Sequence, residues 1–388
     1  MDLELDAEQK AFRDETREWL AANVPAEPLP PASTPEGLEA RRAWEKTLHA
    51  AGFAAVQWPK EYGGRGMNPL STAIFYEEYL RAGAPDRLNR LGLGLCGPTL
   101  IDKGTEAQKA RWLENILTCD EIWCQGFSEP GAGSDLAGLR TQGEVTADSI
   151  VVNGQKVWTS RASYADWMFA LVRTDPDQSR HRGLTFLMID MHDPGVEYRP
   201  IRQINRAAEF SEVFFTDVVV PRENVVGEIG DGWSVAMSTL THERGSGLNT
   251  ASHFRSLLDE VVGLLPDTRR RDARVREAVG QAYEEIEAYR YMTLRTLSQY
   301  AQGHRPTGQS RMGKLWWSEM QVRILELGLE TLGEQALLLD GQLGEPPRLR
   351  ERYWRSRAAL IYAGSSEIQR NIIAERVLGL PKEPARAV

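Results

Sequence analysis

The sequence predicts an α+β multidomain fold with an all-α N-terminal domain, a middle antiparallel β-barrel or sandwich, and a C-terminal four-helix bundle. Three observations predict this order. Apolar residues recur at helical spacing from Ala7 to about Thr118, short β-rich runs follow, and helical spacing returns at Gly232. Because 388 residues are too many for one ordinary core, we expect three domains, at residues 1–120, 121–226 and 227–388.

The N-terminal region opens with a helix signal. Asp6 and Gln9 have the spacing of a capping box, and Phe12, Trp19 and Leu20 follow at helical spacing. Further helices are expected at Arg41–Ala51, Pro69–Ala82 and Glu106–Leu117, with a proline-rich loop at Val24–Pro35.

The middle region consists of short runs rich in Val, Ile, Phe and Thr, separated at intervals of roughly ten residues by Gly, Asn, Asp or Pro. The pair Asn153-Gly154 is typical of a hairpin turn between two of these runs. We expect antiparallel strands at Gly143–Val145, Ser149–Val152, Met168–Val172, Leu184–Asp190, Val196–Pro200 and Glu212–Val220.

Long helical patterns joined by short Gly or Pro loops occupy the rest of the chain, which is typical of a helical bundle. These helices are expected at Trp233–Thr250, Phe254–Leu265, Ala273–Ala301, Ser310–Gly341 and Arg350–Leu378.

Composition and charge narrow the class of protein. Hydrophobic residues make up 41% and charged residues 26%, which are ordinary values for a soluble globular protein. The net charge of -9 argues against a nucleic-acid or anionic-membrane partner. The N-terminal segment lacks the apolar core of a secretory signal, and no run approaches the roughly 18 apolar residues that would insert into a membrane. Cys96, Cys119 and Cys124 have no metal-ligand spacing, so we expect reduced thiols, no metal and a cytoplasmic location.

The segment from Gln125 to Asp135, QGFSEPGAGSD, is a loop of small residues with accessible backbone N–H groups. Such a loop suits a pyrophosphate or a flavin edge, although by itself it is equally typical of an ordinary glycine-rich turn. It resembles the flavin loop of acyl-CoA dehydrogenases, with Phe127 in place of an aliphatic residue. Ser134 is expected near the pantetheine of the substrate or the flavin phosphates. The resemblance implies FAD as the cofactor, bound in this loop by Gln125, Phe127, Ser128, Gly133 and Ser134.

A second segment, KVWTS at Lys156–Ser160, contains a Trp and two hydroxyl residues. A Trp in a strand is usually part of the core, but this one stands at the distance from the first loop that acyl-CoA dehydrogenases show. The resemblance implies that Trp158 packs on the isoalloxazine ring and that Ser160 hydrogen-bonds near N5, with Thr159 between them in the cofactor site. An aromatic face covers a flat ring, and a hydroxyl can donate or accept a hydrogen bond.

A third segment, IYAGSSEIQRN at Ile361–Asn371, resembles the C-terminal signature of the same family. The resemblance implies that Ser365 and Glu367 contact the flavin or its adenosine part. A core position for Tyr362 is an equally good interpretation of that side chain. The resemblance also implies that the acyl thioester lies against Tyr362, Ala363 and Gly364.

The catalytic base needs a separate argument. Many family members carry a Glu directly after the Tyr of the C-terminal signature, but this chain has Ala363, which cannot take a proton. Isovaleryl- and long-chain-type members instead use a Glu on the first long helix of the C-terminal domain. Glu243 matches that Glu. Arg244 matches the Arg that follows it, and the resemblance implies that Arg244 contacts the substrate.

The local pattern agrees with this role for Glu243. Ala236, Leu240, Glu243 and Gly247 recur at helical spacing, so Glu243 falls on a face that is otherwise apolar or small. A salt bridge to a neighbouring arginine is the alternative role for this carboxylate. His242 is a weaker candidate for the base, because successive helix residues point in different directions.

The resemblance implies FAD-dependent α,β-dehydrogenation of an acyl-CoA to the trans-2-enoyl-CoA. Glu243 would remove the α-proton, flavin N5 would accept the β-hydride, and the backbone N–H of Ala363 would help to polarise the thioester carbonyl. An electron-transferring flavoprotein is the expected electron acceptor, and a homo-oligomer, a dimer or homotetramer, is the expected assembly. Small residues around Gly245–Ala251 favour a branched or ring-bearing acyl group.

Several alternatives stay open at this point. The Arg-x-x-Phe-Gly motif of many members is missing at Ala301–Pro306, which leaves the FAD adenosine contacts unassigned and permits a hetero-oligomer. In such an assembly this chain would be a non-catalytic or half-site subunit. The same fold supports acyl-CoA oxidases, and an acyl carrier thioester can replace acyl-CoA.

Overall fold

The computed structural model describes residues 5–178, 180–243, 251–301, 312–337 and 348–382. The chain divides into two compact units. The sheet unit comprises Asn23–Met67 and Gly83–Ser246, and the bundle unit comprises Met1–Ala22, Asn68–Ala82 and Gly247–Val388. The N-terminal helices are therefore divided between the two units, and the linear domain boundaries at residues 120 and 226 stay a prediction.

The described residues form helices and strands in the predicted order of helical, β and helical segments. The α-helices are α1 (Ala7–Asn23), α2 (Pro35–Ala50), α3 (Pro69–Arg81), α4 (Gly97–Lys103), α5 (Glu106–Leu117), α6 (Gly232–Glu243), α7 (Ala251–Leu264), α8 (Asp267–Arg270), α9 (Ala273–Ala301), α10 (Met312–Leu332), α11 (Arg348–Ala359) and α12 (Ser366–Arg376). The strands are β1 (Trp123–Gly126), β2 (Gln142–Val145), β3 (Ser149–Ser160), β4 (Trp167–Arg173), β5 (Leu184–Asp190), β6 (Val196–Ile201), β7 (Phe210–Pro221) and β8 (Val225–Val226).

Local sequence explains where several helices begin. Asp6 and Gln9 form the predicted capping box at α1, because Gln9 N donates to Asp6 Oδ1 at 2.8 Å and Asp6 N donates to Gln9 Oε1 at 3.1 Å. Thr105 and Gln108 form a second capping box at α5. Such boxes satisfy backbone N–H groups that have no partner within the helix.

The sheet unit contains a sheet in the order β6-β7-β3-β2-β4-β5-β8, with β1 paired to β4. Most neighbouring strands are antiparallel, as predicted, whereas β1 and β2 each pair with β4 in parallel. The sequence patterns did not predict β1 and β8, because strands of four and two residues carry little alternation.

The hairpin predicted at Asn153-Gly154 is wrong. β3 continues through this pair, and the turn before it is closed at Thr146, whose N–H donates to Ser149 O at 2.9 Å. Gly154 instead lies at an irregularity in the pairing with β7, at φ +148°. A Cβ on Gly154 would lie 2.8 Å from Thr141 Cα, so glycine here permits a close backbone approach.

In the bundle unit, α7, α9, α10 and α11 pack against one another, as the predicted four-helix bundle requires. Phe254 is fully buried at its centre, stacked on Trp317 at 6.4 Å and edge-on to Tyr289 at 5.8 Å. α1 and α3 belong to the same unit, where the Arg17 guanidinium donates to both oxygens of buried Glu78 at 2.9 and 3.0 Å. These contacts give the unit an apolar core with one partly buried ion pair.

The single helix predicted at Arg350–Leu378 is two helices, α11 and α12. Ala363 and Gly364 interrupt it, with φ values of +54° and +90°. A residue in the left-handed region cannot continue a right-handed helix. The helix predicted at Trp233–Thr250 is described only as far as Glu243, since residues 244–250 lie outside the described ranges.

None of the helices in the described ranges combines the length and apolar character that crossing a bilayer requires. Within the same ranges, no three or more His, Cys, Asp or Glu side chains gather into a group that could hold a metal ion.

Candidate functional site

The small-residue loop, residues Phe127–Asp135, follows directly from β1. Glu129 and Ala132 exchange two backbone hydrogen bonds, at 3.1 and 3.0 Å, which close a tight turn. Gly131 and Gly133 are exposed, and a Cβ built on either would meet no atom within 4 Å. The loop therefore leaves room for a ligand to approach its backbone closely.

The predicted contact residues of this loop differ in exposure. Phe127 is only 6% exposed, and its ring lies edge-on to Phe169 and Phe186 in the core. A cofactor could therefore contact Phe127 through its backbone but not through its ring. Of the other predicted residues, Gln125 and Ser128 are half-buried, and Gly133 and Ser134 are exposed.

Trp158 lies at a β-bulge in β3. The register with β7 shifts between Lys156 and Thr159, so that β3 carries one extra residue at this point. Trp158 has φ +59° and its side chain is 58% exposed, with an edge contact to the Phe210 ring at 6.2 Å between ring centroids. A bulky aromatic residue in the left-handed region is rare, and such outliers concentrate at functional sites.

The two hydroxyl residues after Trp158 occupy different environments. Thr159 is fully buried, and its Oγ1 has no hydrogen-bond partner among the described residues. Ser160 is half-buried and pairs with Phe210 of β7. A buried hydroxyl without a protein partner is a position at which a bound molecule could supply one.

The loop and the bulge are joined directly. Val157 N donates to Ser128 O at 2.9 Å. One residue earlier, the buried Lys156 ammonium donates to Glu129 Oε1 at 2.8 Å and to Phe127 O at 3.3 Å. The structure thus brings the first two predicted motifs together into one site.

Helix α6 belongs to the same unit as the loop and carries the predicted base. Its buried Val235 and Ala236 lie in the same core cluster as Phe127 and Ala132. Glu243 is the last described residue of α6, and its side chain and Arg244 lie outside the described residues. Their roles as base and substrate contact stay predictions.

Polar contacts hold α6 against α4. Thr99 and Thr239, both fully buried, hydrogen-bond through their hydroxyls at 2.9 Å, and Ser238 Oγ donates to Asp102 Oδ2 at 2.6 Å. Burial lowers the pKa of His242, while the nearby Asp102 carboxylate opposes that shift. The buried His242 Nε2 has no hydrogen-bond partner among the described residues, and the weaker candidacy of His242 as the base stays a prediction.

The third motif lies in the bundle unit, in the connection between α11 and α12. Tyr362 is 50% exposed, and its ring lies 6.4 Å from that of Trp317, so the core interpretation of Tyr362 is wrong. The turn is fixed by Gln369, whose Nε2 donates to Ala363 O at 3.0 Å. Gly364 has φ +90°, and a Cβ there would lie 2.4 Å from that same Nε2, so this position favours glycine.

Ser365 and Glu367 have a local structural role. Ser365 is the N-cap of α12, accepting from Ile368 N at 3.3 Å. Hydrogen bonds from the backbone N–H of Glu367 and from the Ser365 side chain lower the pKa of the Glu367 carboxyl. A negative charge in the first turn of a helix is favourable. Their predicted contacts with the cofactor stay predictions.

Three models of acyl-CoA dehydrogenase domains match the chain in order. The N-terminal domain matches residues 6–120, the middle domain residues 124–218 and the C-terminal domain residues 230–378.

Relatives match over nearly the whole chain. Acyl-CoA dehydrogenase IpdE1 of Mycobacterium tuberculosis (strain ATCC 25618 / H37Rv) is 45% identical over 381 residues, which covers 96% of this chain and 98% of the relative. Among solved structures, the Tcur3481-Tcur3483 steroid ACAD has a TM-score of 0.86 at 27% identity, covering 99% of this chain and 100% of that one. The ChsE4-ChsE5 complex from Mycobacterium tuberculosis has a TM-score of 0.84 at 30% identity, with coverage of 99% and 100%.

Proposed function

The chain belongs to the acyl-CoA dehydrogenase family of FAD-dependent oxidoreductases, and on that premise we propose that it dehydrogenates a bulky, ring-bearing acyl-CoA with Glu243 as the base. The observation that carries the proposal is the bulge in β3, which presents the Trp158 indole to solvent directly beside the small-residue loop.

The residues of the sheet unit fit an FAD. The exposed indole of Trp158 offers a flat apolar face, Thr159 Oγ1 is a buried polar atom without a partner in the described ranges, and the turn at Gly131 and Gly133 is open. Phe127 would contribute its backbone, and Ser128 and Ser160 would contribute hydroxyls. When bound, FAD supplies the acceptor for the hydride that leaves the substrate.

The proposed work of Glu243 is to take the α-proton. Its helix shares a core with the small-residue loop through Val235 and Ala236, which supports a short path between base and cofactor. The Thr99–Thr239 and Asp102–Ser238 hydrogen bonds would hold that helix in place while the proton moves. With Ala363 at the alternative position, the chain has no carboxylate there to take over this role.

The substrate proposal rests on two observations. Small residues around Gly245–Ala251 favour a wide acyl group. One of the solved structures most similar to this chain is a steroid ACAD. We therefore favour a polycyclic, steroid-like acyl-CoA over a short straight chain, with an electron-transferring flavoprotein as the electron acceptor.

A second candidate function is that of one subunit in a two-chain dehydrogenase. The ChsE4-ChsE5 structure is a complex of two named chains, and this sequence lacks the Arg-x-x-Phe-Gly motif at Ala301–Pro306. In that case the chain expressed alone would bind FAD weakly, and co-expression with a homologous chain would restore binding. Native mass spectrometry of both preparations distinguishes this candidate from a homo-oligomer.

The test is an anaerobic titration of the purified holoenzyme with acyl-CoA thioesters, with reduction of the flavin followed by loss of visible absorbance. We expect the wild type to be reduced faster by a polycyclic acyl-CoA than by butyryl-CoA. The E243Q variant should retain FAD but be reduced about 10²–10⁴-fold more slowly, because a general base contributes that much to proton transfer. Glu228→Gln, an exposed carboxylate shortly before α6, is the matched control and should match the wild type. Equal rates for E243Q and the wild type would exclude Glu243 as the base.

A further inference from the structure

Lys156 is a fully buried lysine with all three ammonium hydrogens in use. It donates to Leu171 O at 2.7 Å, to Glu129 Oε1 at 2.8 Å and to Phe127 O at 3.3 Å. An ammonium group carries three donors and no acceptor. Its hydrogen bonding is therefore complete inside the protein, and it has no donor left for a ligand.

Glu129, the partner of Lys156, accepts hydrogen bonds on both carboxylate oxygens. Its side chain is 8% exposed and accepts from Arg140 N at 2.6 Å and from Thr141 N at 2.9 Å, in addition to Lys156. Burial by itself raises the pKa of Glu129, but the Lys156 charge and these donors outweigh burial, so the pKa lies below its usual value. Burial lowers the pKa of Lys156 to about 8, against the attraction of Glu129. The pair is therefore ionised at neutral pH.

The position of Lys156 in β3 distinguishes this pair from an ordinary ion pair. Lys156 is the last residue in regular register with β7 before the bulge that exposes Trp158. Through its side chain it also holds Phe127 and Glu129, at the start of the small-residue loop. One side chain thus fixes both segments that the proposed function places against FAD.

The presence of a buried ion pair is weak evidence that the pair stabilises the folded protein. The cost of removing two charges from water often equals or exceeds their attraction, and well-packed neutral replacements of similar size are frequently no less stable. The presence of an ion pair at this position therefore suggests a role other than stabilisation of the fold.

We propose that Lys156, with Glu129, is a positioning residue for the flavin: it locks the small-residue loop to the Trp158 bulge so that both are pre-formed for FAD. This inference rests on the proposed FAD-dependent function. Pre-formed sites bind more tightly because their loops are already ordered, so that binding does not have to include the free-energy cost of ordering them. Lys156 acts through the Phe127–Glu129 backbone and the bulge, and does not itself touch the cofactor.

The test compares the wild type with the neutral double variant Lys156→Met/Glu129→Gln, which removes both charges together and leaves no uncompensated one. The dissociation constant of FAD and the visible circular dichroism of bound FAD are measured on the purified holoenzyme, and the unfolding midpoint on the FAD-free protein. We expect FAD to bind at least about tenfold more weakly, as for other groups that orient a ligand's direct contacts, with an altered dichroism and an unfolding midpoint close to that of the wild type.

The matched control is a second buried ion pair of the same unit, Arg87–Glu45, with exposed fractions of 3% and 0%. Arg87→Met/Glu45→Gln removes an equivalent pair that touches neither segment, and it should leave the FAD dissociation constant and the dichroism unchanged. If the Lys156 double variant does not fold, Glu129→Asp is the second variant, because it keeps the carboxylate charge and shortens the side chain by one methylene group. That variant should still weaken FAD binding.

Wild-type FAD affinity and dichroism in both Lys156 and Glu129 variants would overturn the positioning role and leave a purely structural pair. A wild-type protein that binds no FAD at all would instead overturn the proposed function, and the positioning role with it. The two failures are therefore distinguishable in the same experiment.

Discussion

Ala363 carries backbone strain that its sequence position alone does not explain. At φ +54° it lies in the left-handed region, which costs a non-glycine residue about 1–2 kcal/mol. Ala363→Gly removes that strain, while the greater freedom of glycine in the unfolded chain costs about 0.4–1 kcal/mol. We expect A363G to raise the free energy of unfolding by up to about 1 kcal/mol, measured by urea denaturation.

Ala288 provides the control for this prediction, because it is exposed in the middle of α9 in the same unit. Ala288→Gly should lower the free energy of unfolding by about 1 kcal/mol, the usual cost of glycine inside a helix. A loss of similar size in both variants would show that Ala363 is not strained.

Side-chain chemistry at single positions was easier to predict than side-chain direction. The sequence indicated a flavin loop and a nearby aromatic, but it gave no reason to place the Phe127 ring in the core and the Trp158 ring in solvent. The direction of the Trp158 ring depends on the register shift in β3, which arises from pairing with a strand more than fifty residues away. No local pattern reports such pairing.

The β3 bulge is an element with a measurable trade-off between stability and binding. Trp158→Gly relieves a left-handed backbone worth about 1–2 kcal/mol and loses an edge contact with Phe210 worth about 0.5–1.5 kcal/mol. The greater freedom of glycine in the unfolded chain costs about 0.4–1 kcal/mol more, so the free energy of unfolding of the FAD-free protein should change by less than about 1.5 kcal/mol. FAD affinity should fall at least about fivefold, since stacking of a flat ring on an aromatic side chain contributes about 1–3 kcal/mol.

Trp158→Phe is the matched variant for this bulge, because it keeps the strain and retains a smaller aromatic face. Titration of each FAD-free protein with FAD, followed by flavin fluorescence, should rank affinity as wild type, then Phe, then Gly. An affinity of the Gly variant equal to that of the wild type would exclude Trp158 from the flavin site.

Helices were predicted more faithfully than strands. The apolar period of α9 and the capping box of α1 are local properties, and the structure confirms them. The Asn153-Gly154 pair does not form the predicted hairpin, because a glycine permits a close approach to Thr141 as well as it permits a turn. The break between α11 and α12 was missed because its alanine is a good helix former, and only Gly364 marked it.

The order of elements along the chain differs from the way they group into compact units. Segments 1–22 and 68–82 join the bundle unit although helical segments around them join the sheet unit. The first two motifs lie in the sheet unit and the third lies in the bundle unit. In the third motif, Ser365 is the N-cap of α12 and Glu367 lies in its first turn, and their contacts with FAD stay a prediction.

Hydrogen exchange with and without FAD can decide this for the whole molecule. A ligand at 100 times its dissociation constant stabilises the state that binds it by about 2.7 kcal/mol, which slows exchange wherever opening requires the ligand to leave. We expect slower exchange in residues 127–135 and 156–162 of the FAD-bound protein, and no change at the start of α9, residues 273–280, as the control. If residues 361–369 are also protected, Ser365 and Glu367 contact the cofactor in addition to capping α12. If those residues exchange as in the FAD-free protein while the first two segments slow, the cofactor is held by the sheet unit alone. Unchanged exchange at 127–135 would contradict the flavin site itself, because that loop is one of the two segments that the proposed function places against FAD.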